Sequence, residues 1–235
     1  MKRKRSLWIL LSLMLLTGCT RSAASPVELQ AEGGEGCKYV ALTFDDGPKR
    51  ETTEALLDGL KARGAKATFF LIGEQVEEAR DLVERMPREG HQVGNHSWSH
   101  ANLRELSVWE AADEVARTEK LLTEILGPGE YWLRPPFGHV NLEEEVKVPQ
   151  IRWSVDPRDW EDHNAEAVKA HVLSHTEPGA IILLHDIYPS SVEAALGIID
   201  EMQQQGYCFV TVEELLEQYG IEPKPGEVYR SAVEK

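Results

Sequence analysis

Ionisable side chains of the kinds that perform acid–base and metal chemistry are clustered at five places in the chain. At one place two aspartates are adjacent. At another, two histidines are four positions apart, so that both imidazoles can share one face of a helical turn and reach a common ion. Together the set could supply metal ligands, a base and an acid for a hydrolysis. The residues are Asp45 and Asp46, His96 and His100, Arg134, Asp156 and Asp159, and His185.

Three of these residues form a candidate metal-ligand set. Asp46, His96 and His100 offer one carboxylate and two imidazoles, which leave positions on zinc open for water and substrate. The same ligand types also occur at the iron(II) site of oxygenases. The alternating strand and helix pattern, and the acid and base that remain over, favour hydrolysis.

The remaining residues can supply the proton transfers that a hydrolysis needs. A metal can lower the pKa of its bound water towards ~7, but a base must still accept the proton and an acid must protonate the leaving amine. We predict Asp45 as the base and His185 as the acid. Arg134 could keep Asp45 ionised and oriented by a charge-assisted pair, and Asp159 could raise the pKa of His185 in the same way.

Short apolar runs alternate with amphipathic stretches over residues 38–220, a pattern typical of parallel strands joined by crossover helices. The fold class is therefore α/β, and the ionisable residues all follow predicted strands. Because the carboxyl ends of parallel strands meet at one edge, these residues can converge in one cleft. The seven predicted strands are Lys38–Phe44, Ala67–Leu71, Gln92–Gly94, Tyr131–Arg134, Ile151–Val155, Ala180–Leu184 and Tyr207–Thr211.

Capping signals mark several of the predicted helices. Ser107 and Glu110 form a capping-box pattern that opens a helix ended by Gly127. Further helices are predicted to begin at Ser190 and Thr211. Residues 221–235 are predicted to be a polar, loose tail. The apolar face of the helix after Ser107 is predicted to carry Trp109, Ala112, Ala116, Leu122 and Ile125.

Five segments, in this order, resemble the motifs of the polysaccharide deacetylases, the NodB-like domains of carbohydrate esterase family 4. The resemblance spans about residues 38–220, and it includes relatives that act on peptidoglycan N-acetylglucosamine and on chitooligosaccharides. The segments are Thr43–Gly47 (TFDDG), His96–His100 (HSWSH), Arg134–Gly138 (RPPFG), Asp156–Trp160 (DPRDW) and Leu183–Asp186 (LLHD).

The resemblance implies a distorted, incomplete (β/α) barrel of about seven parallel strands and a metal-dependent removal of N-acetyl groups from a polysaccharide. It implies zinc, or cobalt or another divalent ion, on the three ligands named above, and the same acid and base. It further implies that the backbone N–H of Phe137 helps to stabilise the oxyanion. Trp160 and Leu183 would line the groove and the acetyl-methyl pocket, although both could instead be core residues.

Two residues depart from the commonest form of these motifs. Phe137 stands where many members have Tyr, which removes a hydroxyl but keeps the backbone donor. Arg158 occupies a position that is often apolar, where it either reshapes one wall or binds an acidic substrate group. Asp156 is either a wall residue or a cap of the turn before Pro157, and His139 is a candidate for substrate contact.

The N-terminus has the order of a secretory signal. A basic cluster precedes an apolar run, Leu7–Leu16, that is short for a membrane span. The run ends at a Leu-Thr-Gly-Cys sequence that resembles the bacterial lipobox. We therefore predict a signal peptide over residues 1–18, lipidation of Cys19, a tether over residues 19–36 and a catalytic domain over residues 37–220. This organisation places the protein on the outer face of the cell membrane; an ordinary cleaved signal with an incidental cysteine is the alternative.

Charge and cysteine content restrict the possible partners and compartment. The formal charge is −15, and removal of residues 1–18 with their four basic side chains takes it to −19. Such an acidic chain is not expected to bind nucleic acid. We expect a monomer. Cys37 and Cys208 remain as thiols in a disulfide-permissive compartment, where they either pair or stay apart as small apolar residues.

The motifs build a reacting centre, whereas the loops between them select the sugar chain. A lipid anchor would face the domain towards peptidoglycan, so its N-acetylglucosamine is the favoured substrate. Chitin-type oligomers, an exported poly-N-acetylglucosamine and an O-acetylated glycan such as xylan remain open. A catalytically inactive glycan-binding lipoprotein is a further alternative, which the complete set of ionic residues disfavours.

Overall fold

The computed structural model describes residues 36–139 and 146–233. Within them, seven strands alternate with eight helices. The strands are β1 (Lys38–Asp45), β2 (Thr68–Leu71), β3 (Gln92–Asn95), β4 (Gln150–Ile151), β5 (Ile181–His185), β6 (Tyr207–Phe209) and β7 (Val228–Tyr229). The helices are α1 (Arg50–Arg63), α2 (Gly73–Val76), α3 (Arg80–Arg88), α4 (Val108–Leu126), α5 (Asp159–Asp162), α6 (Ala165–His175), α7 (Pro189–Gln204) and α8 (Val212–Gln218).

The sheet is parallel and centres on β1. Its strand order is β3-β2-β1-β5, and β6 pairs with the first residues of β1. Single-residue bridges continue the ring: Leu133 pairs with both Asn95 and Gln150, and Val155 pairs with Ile182. The strands therefore form a distorted, incomplete parallel barrel, which confirms the predicted fold class.

Two of the predicted strands are much shorter than expected. Tyr131–Arg134 contributes only the bridge at Leu133, and the predicted strand Ile151–Val155 is reduced to β4 and the bridge at Val155. Pro135 and Pro149 border this region and cannot donate backbone hydrogen bonds to a ladder. Strand pairing is consequently sparse on this side of the barrel, which we call the thin side.

Alternation along β1 and β5 separates the core from the site. Val40, Leu42 and Phe44 lie in the larger apolar cluster, which includes residues of α1 and α7. The residues of β1 that alternate with them point away from this cluster, because successive side chains of a strand point to opposite faces of the sheet. Thr43 and Asp45 are thereby directed to the barrel interior, as is His185 at the end of β5.

The segment after residue 220 is packed on the domain, so the prediction of a loose tail is wrong. β7 pairs in parallel with β4, and Ser231 bridges Ala180. Ala232 is buried and donates a backbone hydrogen bond of 2.8 Å to the carbonyl of Gly179. The sequence did not reveal this attachment, because it depends on backbone hydrogen bonds and on a few apolar residues, Ile221, Tyr229 and Ala232, in a mostly polar segment.

The capping boxes at Ser107 and Thr211 are both present, as predicted. The third helix start differs by two residues, since Tyr188 is the N-cap of α7. The predicted apolar face of α4 is also partly wrong. Leu122 is buried as predicted, but Trp109 is 85% exposed and Ala116 is exposed as well. The helix also buries Ala111, Thr118 and Leu121.

Cys37 and Cys208 form a disulfide, with their Cα atoms 6.0 Å apart. Pairing of β1 with β6 brings Tyr39 opposite Cys208, which places the two cysteines within bonding reach. No helix in the described ranges is long and apolar enough to cross a membrane. The predicted signal peptide, Cys19 and all of the tether before Gly36 lie outside the described residues.

Candidate active site

The two adjacent aspartates point in different directions because the backbone turns between them. Asp45 is the last residue of β1 and is buried in the barrel interior. Asp46 has a φ of 71°, a left-handed conformation that is uncommon for a residue with a side chain. The turn therefore separates the two carboxylates while keeping both at the carboxyl end of β1.

Asp46, His96 and His100 converge on one point. The Nε2 atoms of His96 and His100 lie 3.4 and 3.3 Å from Oδ1 of Asp46. One ligand atom from each of the three residues lies within 4.8 Å of the others. Oδ1 of Asp46 is buried without a hydrogen bond, which is unusual for a buried polar atom. One carboxylate and two imidazoles arranged in this way fit a divalent cation.

A hydrogen bond from Nδ1 to the backbone orients the ring of His96. Its Nδ1 lies 2.6 Å from the carbonyl oxygen of Arg134, so Nδ1–H donates there and Nε2 is directed at Asp46. Burial lowers the pKa of His96, but the charges of Asp45 and Asp46 outweigh burial and raise it. A proton and a metal ion therefore compete for Nε2.

His100 lies on a loop that is fixed by hydrogen bonds. The residue has a φ of 59°, and its N–H donates to Oγ of Ser97 at 3.1 Å. The Glu114 carboxylate of α4 accepts from the N–H groups of Trp98 and Ser99, at 3.1 and 2.8 Å. Burial and the neighbouring His96 lower the pKa of His100, which favours the neutral imidazole that binds metal.

Asp45 is held by Arg134, as predicted. Nη1 of Arg134 donates to Oδ1 of Asp45 at 2.8 Å, and both side chains are buried. The same guanidinium donates to Oγ1 of Thr43 and to the carbonyls of Ile151 and Arg152, at 2.6, 3.3 and 3.0 Å. A fully buried guanidinium with four acceptors has a single allowed position, so Asp45 is fixed as well.

His185 lies opposite Asp45 on the neighbouring strand. The parallel register of β1 and β5 pairs the two residues. Asp159, at the start of α5, accepts hydrogen bonds from Nδ1 of His185 at 2.7 Å and from its backbone N–H at 2.8 Å. Burial lowers the pKa of His185, but Asp159, Asp45 and Asp46 together raise it to about 9. The imidazole is therefore protonated near neutral pH, although a divalent cation nearby would oppose this shift.

The predicted groove residues differ in exposure. The ring of Phe137 is 60% exposed, and its centroid lies 4.9 Å from that of His100. Trp160 is 44% exposed, with the guanidinium of Arg158 5.5 Å from its ring centroid. Leu183 is 4% exposed, so it is packed in the protein beside the site. The oxyanion role of the Phe137 N–H remains a prediction.

The residues that the sequence left undecided are now placed. Oδ1 of Asp156 accepts from the N–H of Arg158 at 2.9 Å, so Asp156 caps the turn. Arg158 is exposed and pairs with Glu161 at 3.0 Å. His139 is exposed and directly follows the short helical turn Pro136–Gly138.

Sequence reasoning assigned no role to two residues near the site. The ring of Tyr188 is tilted by 53° against that of His163, with centroids 4.6 Å apart, and its centroid lies 6.4 Å from that of His185. Asp186 is fully buried next to Gly47, where it accepts a hydrogen bond from Thr53, and burial raises its pKa to about 7. Their closeness to the motifs was the only available signal.

An incomplete parallel barrel with a carboxylate–imidazole ligand set at its rim, flanked by a held aspartate and a held histidine, defines a class: α/β-barrel proteins with a metal-hydrolase type of site. Comparison with known proteins identifies the family within this class. The family model "Polysaccharide deacetylase" matches residues 32–147. The relatives described below also match beyond that range, and the chain belongs to the polysaccharide deacetylase family.

The names of two curated relatives specify different sugars of peptidoglycan. The chain is 43% identical over 182 residues to the peptidoglycan-N-acetylmuramic acid deacetylase PdaC of Bacillus subtilis, covering 77% of this chain and 39% of that protein. It is 38% identical over 188 residues to a peptidoglycan-N-acetylglucosamine deacetylase of Bacillus cereus, covering 76% and 68%. The match thus extends over about two fifths of PdaC and two thirds of the Bacillus cereus protein.

Solved structures share the fold. The structure of PdaC superimposes with a TM-score of 0.76 at 42% identity, covering 77% of this chain and 91% of that one. A family 4 acetyl xylan esterase from Clostridium thermocellum, solved in complex with a cobalt ion, gives 0.78 at 33% identity, covering 83% and 98%. The fold therefore occurs in relatives whose names specify different acetylated polymers.

Proposed function

We propose that the protein is a metal-dependent deacetylase that removes N-acetyl groups from the sugars of peptidoglycan. The observation that carries the proposal is the geometry of the barrel rim. Asp45 and His185, each held by a buried partner, flank a carboxylate–imidazole ligand set. The named activities of the peptidoglycan relatives support this substrate class.

The proposed metal is zinc, held by Asp46, His96 and His100. When bound, a divalent cation polarises the acetyl carbonyl and makes a neighbouring water more acidic. The two imidazoles and single carboxylate suit zinc, and cobalt is accepted by the same ligand types. The cobalt ion named in the Clostridium thermocellum structure is consistent with this range of metals.

In the proposed reaction, Asp45 accepts a proton from the water that attacks the acetyl carbonyl carbon. The buried guanidinium of Arg134 holds this carboxylate in position through a hydrogen bond of 2.8 Å. As the carbon–nitrogen bond breaks, His185 donates its proton to the leaving amine, and acetate is released. Asp159 stabilises the imidazolium before the transfer and fixes the ring through Nδ1, which leaves Nε2 to face the substrate.

The N-terminal segment supports a proposal about location. We propose that residues 1–18 are removed, that Cys19 is lipidated, and that residues 19–36 tether a monomeric domain to the outer face of the membrane, facing the cell wall. Mass spectrometry of the protein from its native membrane tests this arrangement. An N-terminal peptide beginning at an acylated Cys19 is the expected result, and an unmodified Cys19 would contradict it.

Acetate release by the purified full chain tests the proposed reaction. The substrates are purified peptidoglycan, N-acetylglucosamine oligomers and acetylated xylan, each with and without a chelator. We expect release from peptidoglycan that the chelator abolishes and that added zinc restores. Mass spectrometry of muramidase fragments then identifies whether glucosamine or muramic acid has lost its acetyl group.

Each other outcome has a definite meaning. Release from acetylated xylan alone would replace the proposal with an O-acetyl esterase. Folded, metal-loaded protein that releases acetate from none of the three would favour a glycan-binding protein without catalysis. Chelator-resistant release would contradict the metal assignment.

A further inference from the structure

A cavity of about 480 Å³ lies beside the proposed metal site, and the proposed reaction does not use it. Ser99 and Ala101, the two neighbours of His100 in the chain, form one of its walls. The first turns of α4 form the opposite wall, with Trp109, Asp113 and Glu114 among the lining residues. The cavity thus borders the loop that presents the proposed ligand His100.

Trp109 is the most exposed large apolar side chain in the described part of the chain, at 85%. By comparison, Trp132 is buried and Trp160 is 44% exposed. In the wall of a cavity, an exposed indole offers a flat apolar face that a ligand can cover. Helical periodicity predicts that Trp109 faces the core. In the structure, α4 buries other residues and leaves this indole in water.

The wall that carries Trp109 is rigid. The capping box of Ser107 and Glu110 fixes the first turn of α4, with Ser107 accepting from the Glu110 N–H and Glu110 accepting from the Ser107 N–H. Glu114 joins the helix to the His100 loop, since its carboxylate accepts from the backbone of Trp98 and from the N–H and Oγ of Ser99. The backbone that carries Trp109 is therefore held in place relative to the loop of His100.

The chemistry of the cavity selects a sugar ring. The C–H face of a pyranose can stack on an indole, and carboxylates at the edge can accept hydrogen bonds from its hydroxyl groups. Asp113 is exposed at the rim and offers such acceptors. Among the described residues that line the cavity, none is basic. An anionic occupant is thereby disfavoured relative to a neutral one.

We propose that this cavity is a subsite for a neutral sugar ring of the glycan chain, one or more units away from the sugar that reacts. The subsite and the reaction centre share the loop of His100. Ser99, the neighbour of His100 in the chain, lines the cavity, and the ring centroid of Phe137 lies 4.9 Å from that of His100. The inference rests on the proposed function for its polymer, but binding at the subsite does not require turnover.

Titration calorimetry with the purified full chain tests the subsite. The probes are N-acetylglucosamine oligomers of two to six sugars, titrated into the wild type, Trp109→Ala and Val108→Ala. Val108 is a matched control, since it is exposed in the same helical turn and does not line the cavity. We expect Trp109→Ala to weaken binding of the longest oligomers about tenfold. Binding of the dimer, and all binding by Val108→Ala, should be unchanged.

Trp109→Phe should recover part of the lost affinity, because it restores an aromatic face. Equal affinity of the wild type and Trp109→Ala at every length would overturn the subsite, as would an equal loss for the dimer or a wild type that binds no oligomer. Acetate release is measured in parallel. Length-dependent binding of the oligomers, with no acetate release from peptidoglycan, would retain the subsite while contradicting the deacetylase proposal.

Discussion

The two sides of the barrel differ in how they are built. On one side, β3, β2, β1 and β5 form a continuous parallel sheet whose strands are paired over three to five residues each. On the other side, the ring is closed by the single bridges at Leu133 and Val155 and by the two-residue strand β4. The proposed base and acid are the last residues of β1 and β5, and the proposed ligands follow β1 and β3, all on the continuous side.

The side of the barrel that is closed by single bridges supplies the residues that hold the proposed base and acid. Arg134 and Asp159 reach across to Asp45 and His185, and their own positions depend on side-chain hydrogen bonds more than on strand pairing. The comparison indicates that a continuous sheet places the reacting groups, whereas a smaller, separately supported layer orients Asp45 and His185 and raises the pKa of His185. Changes on the two sides should therefore have different effects.

The largest effects are expected on the continuous side. Asp45→Asn and His185→Ala should each lower turnover by a factor of ~10² to 10⁴, because each removes one proton transfer. Zinc should remain bound, since neither residue belongs to the proposed ligand set. Turnover on peptidoglycan and metal content by mass spectrometry check both statements. A wild-type rate in either variant would overturn the assigned role.

Arg134→Ala should damage both stability and turnover. It leaves Asp45 as a buried, unpaired charge and should lower the free energy of unfolding by about 3–5 kcal/mol. Urea denaturation measures this loss. Arg63→Ala is the matched control, because Arg63 pairs with Asp200 at 2.7 Å on the surface and should cost less than about 1 kcal/mol. Similar losses in the two variants would mean that the buried pair has no special role.

Asp159→Asn should change the pH dependence of turnover. The raised pKa of His185 means that its acid form is present below about 9 and is lost as the pH rises through that value. Removal of the Asp159 charge lowers this pKa, so the alkaline limit of activity should move to lower pH. Turnover should fall about 10- to 100-fold. A pH profile of kcat/KM with an unmoved alkaline limb would contradict the pairing.

Removal of residues 227–235 should have the smallest effect of these changes and should act through the thin side. β4 loses the backbone bonds that the N–H groups of Gln150 and Arg152 donate to Glu227 and Tyr229, each 2.8 Å long. We expect a melting temperature lower by several degrees, given about 2–4 °C per kcal/mol for a domain of this size. An unchanged melting temperature would show that the segment does not support β4.

The sequence predicted the site more completely than the elements around it. The site residues occur in short motifs directly after strands, so parallel pairing alone brings them together. The strand predicted at Tyr131–Arg134 could not be anticipated as a single bridge, because its partner at Gln150 lies in the two-residue strand β4, whose extent is set by tertiary pairing with β7. Trp109 was misplaced since helical periodicity indicates which residues share a face, but not how far the core extends along the helix. Tyr188 and Asp186 were missed because tertiary packing alone gives them a place beside the site.

The disulfide between Cys37 and Cys208 has a mechanical consequence. Cys37 is the last residue before β1, so a pull on the chain from its N-terminal side reaches Cys37 first. The sulfur bridge divides the load between β1 and β6 and opposes peeling of β1 from the sheet. Force applied at the N-terminus would therefore have to displace two strands together before it disturbed the aspartates at the far end of β1.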